Sequence, residues 1–193
     1  MIPTLEGQFL IAMPNMEDSR FEHSVIYICS HTEQGAMGLV LNQIASHLNI
    51  EELFHQLNII NGDSAIRLPS QIRQMNIHKG GPVEMERGFV LHTDDYVIDR
   101  STLEIQDGIC LTATLEILKA MAEGRGPQQA LLALGYSGWA PGQLESEIQA
   151  NGWLTGPAER SIVFDPDAGG LWHKALLSMG VDPAMLFRDA GHA

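Results

Sequence analysis

The chain has 193 residues, 45% apolar and 18% charged, with a formal net charge of −13 at pH 7. That length suits one domain with a buried core. The charge disfavours direct nucleic-acid binding, since 11 Lys and Arg face 24 acids and non-specific affinity for phosphates rests on cations.

Arg67, Arg73 and Lys79 are the nearest approach to a basic cluster, and the acid excess reads as a solvated surface. No apolar run reaches the roughly 20 residues of a membrane span. The opening MIPTLEGQFLIAMP has no basic stretch before its short apolar segment, so QFLIAM reads as a strand closed by Pro14 and not as a signal peptide. SVIYICS and MGLVLN are β-branched-rich runs joined through Gly35 as a hairpin or close connection, both of whose faces are expected to be covered. Cys29 and Cys110 sit alone in apolar runs, which predicts buried free thiols and a reducing, cytoplasmic setting.

NIEELFHQL predicts a helix capped by Asn49, with Ile50, Leu53, Phe54 and Leu57 on one face. Residues 58–76, polar and broken by Gly62 and Pro69, predict an irregular or mobile segment. RGFVLH, YVIDRSTLEI and DGICLT predict strands, with Asp107-Gly108 a turn. A helix should start at Thr112 or Thr114 and bury Leu115, Leu118 and Met121 or Ala122 before Gly124. QQALLALGYSGW reads as a buried strand ending in a turn, and Pro141 as the first turn of a helix that buries Leu144 and Ile148. SIVF is expected to be one more strand. GLWHKALLSM should form a helix burying Trp172, Ala175, Leu176 and Met179, with a last helix from Asp182-Pro183. Strands that pair locally, without a regular βαβ rhythm, indicate one α+β domain with a mixed sheet.

Chemical motifs are sparse. GRGPQQ fails the dinucleotide fingerprint, and no P-loop occurs. In GYSGW the residue two after Ser137 is Trp139 and not glycine, so Ser137 reads as part of a tight turn and not as a nucleophile. No zinc spacing appears, and a metal shared by His78 and His92 needs the chain to fold back. HKGGPVEMERGFVLH holds the densest set of candidates. Gly80-Gly81-Pro82 permits a bend where another backbone or a ligand comes close. In a regular strand Glu84 and Glu86 share a face, with Arg87 on the other.

LIAMP, SVIYICSHTEQGAMGLVLN, GGPVEMERGFVLH, ALGYSGWAPGQLESEI, NGWL and the terminal GHA together resemble the YqgE/AlgH family of bacterial proteins over nearly the whole chain. The resemblance implies a single α+β domain whose bifurcated mixed β-sheet has barrel-like closure and is flanked by helices. It brings no catalytic residues. His31, Asn42, Glu86, Arg87 and His92 fit the family's recurrent polar positions. Ser137 stands where alanine is usual, His23 where arginine is common, and Thr112-Ala113-Thr114 lacks the basic residue that relatives often carry.

The leading reading is a cytoplasmic, non-enzymatic regulatory or small-ligand-binding protein. Its candidate pocket is drawn from Gly80, Gly81, Pro82, Glu84, Glu86, Arg87, His92, His31 and Asn42. The expected partner is an unidentified small molecule or a protein, with no cofactor, metal or membrane. One alternative is a hydrolase-like enzyme using Glu84 or Glu86 with His92; another is a transcriptional regulator acting directly or indirectly.

Overall fold

The apolar runs become the strands of one mixed sheet. A computed structural model describes residues 3–189, so the terminal Gly191-His192-Ala193 of the family pattern lies outside the described residues. The elements in chain order are β1 (Gln8–Ala12), β2 (Val25–Thr32), β3 (Gly35–Val40), α1 (Ile50–Gln56), α2 (Ser70–Arg73), β4 (Ile77–Lys79), β5 (Val83–Thr93), β6 (Thr102–Gln106), β7 (Ile109–Thr112), α3 (Leu115–Ala122), β8 (Ala130–Trp139), α4 (Gln143–Gln149), β9 (Trp153–Pro157), α5 (Arg160–Val163), α6 (Leu171–Ser178) and α7 (Pro183–Asp189). The strand order is β6-β7-β5-β8-β3-β2-β1-β9, with β4 also paired to β8. Among the described residues only the β4–β8 ladder is parallel. The sheet curls into a half-barrel flanked by helices, as the resemblance implies.

β8 is where the sheet divides. Its first part, Ala130 to Tyr136, pairs with β5, and Leu132 to Leu134 pair with β4 on the other side. Its last part, Ser137 to Trp139, pairs with β3. β4 and β3 therefore follow one another along the same edge of β8, and the chain between β4 and β5 crosses β8 at Gly80-Gly81-Pro82. Gly80 N–H donates to Leu134 O at 2.9 Å, and Gly80 O accepts from Val40 N–H at 2.9 Å. A Cβ on Gly80 would sit 2.2 Å from Gly135 O, and one on Gly81 would sit 2.2 Å from Tyr136 C and O. The bend is shaped to admit another backbone, one of the two uses that the glycine pair allowed.

Strand alternation distributes the core over two faces. One face, common to both halves, carries Phe9, Tyr27, Leu39, Leu91 and Leu131, and is sealed by Ile162, Trp172 and Leu176 from α5 and α6. Trp172 Nε1–H donates to Ala12 O at 2.9 Å. On the opposite face, α1 and α3 cover Val90 and Leu132 with Phe54, Ile117 and Met121. There α4 packs Leu144 against Ile26, Ile28, Trp139 and Trp153. Cys29 and Cys110 are free and buried, and burial raises both thiols above their ordinary range. Among the described residues no helix is long and apolar enough to cross a membrane.

Several elements differ from the sequence reading. SIVF is not a strand: residues 160–163 are helical and bury Ile162 and Val163, a short apolar run being compatible with either state. The last strand is instead β9, whose partner β1 is remote in sequence. YVIDRSTLEI shortens to β6, because Ser101 and Thr102 N–H both turn back to Ile98 O. Leu115 opens α3 and stays 47% exposed, while Ile117, Leu118, Ala120 and Met121 take the buried positions. Of the two expected starts of α3, Thr114 is its N-cap and Thr112 a strand residue, and α4 begins at Gln143, after Pro141. The 58–76 segment holds a 3₁₀ stretch, Gly62–Arg67, and the short α2, and it buries Ile60 and Leu68.

Candidate functional site

The bend grips protein backbone, yet its exit residues Pro82 and Val83 border open space on both sides. On the common face lies a trough of about 730 Å³. Ser30, Thr32, Ser101 and Tyr136 supply its hydroxyls, Met37, Phe89 and Leu111 its apolar floor, and Arg87 its cation. On the other side is a tighter hollow of about 420 Å³ between Trp139, Trp153, Phe21 and Pro82.

Three elements build this tryptophan hollow. Trp139 ends β8, Trp153 opens β9, and the intervening α4 presents Gln143 and Glu147 one turn apart. Glu147 Oε2 accepts both indole N–H groups, from Trp139 at 3.0 Å and Trp153 at 2.8 Å. Its Oε1 accepts from Gln143 Nε2 at 3.0 Å. The indoles meet edge to face with centroids 6.2 Å apart, and Phe21 meets Trp153 in the same way at 5.7 Å. Arg20 places its guanidinium 5.7 Å from the Phe21 centroid and bonds Asp18 at 2.7 Å. The hydrogen bond to Arg20 holds the Asp18 carboxyl below the usual carboxylate range. The walls are thus aromatic and preset, with charged groups fixed at the rim, a composition typical of small-molecule sites.

The histidines among the candidates are bound into the frame. His92 is fully buried; its Nδ1 donates to Thr93 O and its Nε2 accepts from Thr112 Oγ1, each at 2.8 Å. Burial keeps this ring below the ordinary histidine range and neutral. Glu86 lies six positions back along β5, roughly 20 Å away by strand rise, so the proposed carboxylate–histidine pair is not assembled. His31 accepts the Leu5 N–H on Nδ1 at 3.1 Å and donates from Nε2 to Glu145 Oε1 at 2.6 Å, tying β2 to α4. Asn42 bridges two backbone groups, accepting from Val25 N–H at 2.9 Å and donating to His23 O at 2.8 Å. None of these three lines the trough or the tryptophan hollow.

Glu84 breaks the expected alternation. It has φ 45°, and the β5–β8 register shifts between Val83 and Gly88. Arg87 therefore reaches Glu84 at 3.5 Å instead of pointing away, and its guanidinium lies 5.0 Å from the Phe89 centroid. Glu86 lies beside a small apolar hollow near Leu53 and Leu118. Ser137 is buried inside β8 and donates to Gly80 O at 3.2 Å, so it buttresses the bend. His78 and His92 lie on strands flanking opposite sides of β8. Among the described residues no three His, Cys, Asp or Glu side chains gather into a metal-holding group.

Arg20, Trp139, Glu147 and Trp153 were not singled out from the sequence. The signal available was GYSGW and NGWL bracketing QLESEI, two of the chain's three tryptophans around one acidic helix.

Known proteins share this frame. The family described as AlgH-like matches residues 9–184. A UPF0301 protein of Beijerinckia indica is 57% identical over 98% of this chain and 92% of its own. Another, from Methylobacterium sp. strain 4-46, is 57% identical over 98% and 90%. The solution structure of AlgH from Pseudomonas aeruginosa is similar at a TM-score of 0.78 and 40% identity, covering 100% of this chain and 98% of that one. A Corynebacterium diphtheriae protein, 22% identical, shares the fold at a TM-score of 0.71, covering 95% of this chain and 90% of its own. The match in sequence and in fold extends across both halves of the sheet and the bend between them: the chain belongs to the AlgH-like family.

Proposed function

We propose that this protein is a cytoplasmic, non-enzymatic ligand-binding regulator whose small-molecule ligand sits in the tryptophan hollow. The observation that carries the reading is the double acceptance of Trp139 and Trp153 N–H by Glu147. It fixes two aromatic walls before any ligand arrives and so lowers the ordering cost of binding. The hydrolase-like alternative draws no support from His92, which is sealed and remote from Glu84 and Glu86. Regulation of transcription, on this reading, passes through ligand-dependent contact with a protein, because a net charge of −13 opposes a direct approach to DNA phosphates.

The test is native mass spectrometry of gently purified protein compared with its denatured mass, joined to tryptophan fluorescence titrated with the small-molecule fraction of a bacterial extract. The expected result is a retained adduct that alters the emission, and loss of both in Glu147→Ala. A clean apo mass together with an emission that no extract fraction moves refutes the reading.

A further inference from the structure

On the far side of Phe21 and Pro82 lies another hollow, of about 400 Å³, within the usual range of ligand pockets. Its walls are apolar: Val40, Ala45, Leu48, Met85 and Leu134. Among the described residues that line it stand Arg20, His47 and Lys79, and no acid. In a chain with 24 acids against 11 Lys and Arg, that local reversal of charge sets this surface apart.

We infer that this hollow binds a medium-chain carboxylate, an amphipathic monoanion. The apolar walls take the hydrocarbon chain. Lys79 stands beside Leu134 in the β4–β8 register, and both line the hollow. It has no carboxylate partner among the described residues, whereas Arg20 is already paired with Asp18. A single unpaired ammonium is a compact point charge, matched to one carboxylate. Met85 and Leu48 are 67% and 37% exposed, apolar area that a bound chain removes from water. Met85 also has the flexibility to follow chains of different shape. The inference is independent of what occupies the tryptophan hollow, although Arg20, Phe21 and Pro82 contribute to both.

Decanoate, titrated below its micellar range into the full ¹⁵N-labelled chain, is the probe. The expected result is saturable binding that shifts the amides of Ala45, Leu48 and Met85. Lys79→Glu should weaken it at least about tenfold, the loss of a charge-assisted contact. Lys79→Arg should retain it, and the uncharged 1-decanol should bind at least about tenfold more weakly. Lys79 is exposed, and a thermal melt checks that the variant stays folded. Leu48→Glu, also at an exposed position, is a second route to the same loss. The inference is overturned by no saturation up to about 1 mM, by equal affinity in Lys79→Glu or for 1-decanol, or by shifts confined to the indoles of Trp139 and Trp153. That last pattern would leave the tryptophan-hollow reading standing, whereas a fluorescence failure with Lys79-dependent decanoate binding would do the reverse.

Discussion

Substituting Gly81 tests whether the bend is a backbone crossing. An added Cβ would lie 2.2 Å from Tyr136 C and O and 2.4 Å from Ser137 N, all main-chain atoms that no rotamer change can move. Gly81→Ala must push β8 away from the bend, an overpacking strain of about 1–3 kcal/mol. The same displacement weakens the Gly80-to-Leu134 and Val40-to-Gly80 hydrogen bonds, about 1 kcal/mol each. The expected loss is about 3–5 kcal/mol, a large share of the roughly 5–15 kcal/mol that holds a domain folded. Gly81→Val should lose more. Gly142 supplies the control: it has φ 75° with no described atom within 4 Å of an added Cβ, so Gly142→Ala carries only the backbone term, about 1–2 kcal/mol. Urea unfolding of the three proteins measures both. If Gly81→Ala loses no more than Gly142→Ala, the crossing does not require a bare backbone there and the steric account fails.

Three further predictions follow from the site. Burial holds His92 and His78 below the ordinary histidine range, so the folded chain binds fewer protons than the unfolded one as pH falls through the unfolded value near 6.5. The contribution of these two histidines is therefore level above about pH 7 and declines on acidification. The urea midpoint should be lower at pH 5 than at pH 7, with a shallower decline in His92→Gln; an unchanged slope in that variant contradicts a neutral His92. Glu147→Ala leaves the Trp139 and Trp153 indole N–H groups without their acceptor, which should lower stability by about 1–3 kcal/mol and shift tryptophan emission. Glu147→Gln, which keeps an acceptor oxygen, should do much less, and equal effects would show that the hydrogen bonds contribute little. Ser137→Ala should lose about 1 kcal/mol with its bond to Gly80 O and leave any retained ligand mass unchanged. Labelling of the wild-type Ser137 by a fluorophosphonate would contradict its burial.

Elements ruled by local chemistry were legible in the sequence. Asn49 accepts the N–H groups of Glu51 and Glu52, as a cap should. Asp107 and Gly108 both adopt positive φ, the requirement of a two-residue hairpin turn. Misreadings arose where partners are remote. NGWLTGP becomes a strand only because β1 offers it an edge, while SIVF, rich in β-branched residues, is recruited as a helix over the common face. The glycine pair announced a close approach, but only the fold identifies Tyr136 and Ser137 as what approaches. In the candidate site, Pro82 and Arg87 do border open space. The polar residues His31, Asn42 and His92 instead serve the frame, and residue type alone does not distinguish a binding group from a buried hydrogen-bonded one. The tryptophans went unread because an indole in an apolar strand looks like core until its N–H partner is known.

The division of the sheet at β8 also bears on synthesis of the chain. The β2–β3 hairpin is complete by Val40, but β3 gains its outer partner only at Ser137 to Trp139, and β1 gains β9 only at Trp153 to Pro157. At ribosomal rates of about 5–20 residues per second, the roughly 100 intervening residues keep the emerging hairpin waiting for about 5–20 s with an open edge. Val25, Ile26, Tyr27, Ile28, Leu39 and Val40, all buried in the finished molecule, stand unprotected for that time. Such an edge is a template for another nascent copy. A chain halted before Ala130 therefore holds these apolar strands without β8 and β9, the two strands that close their edges.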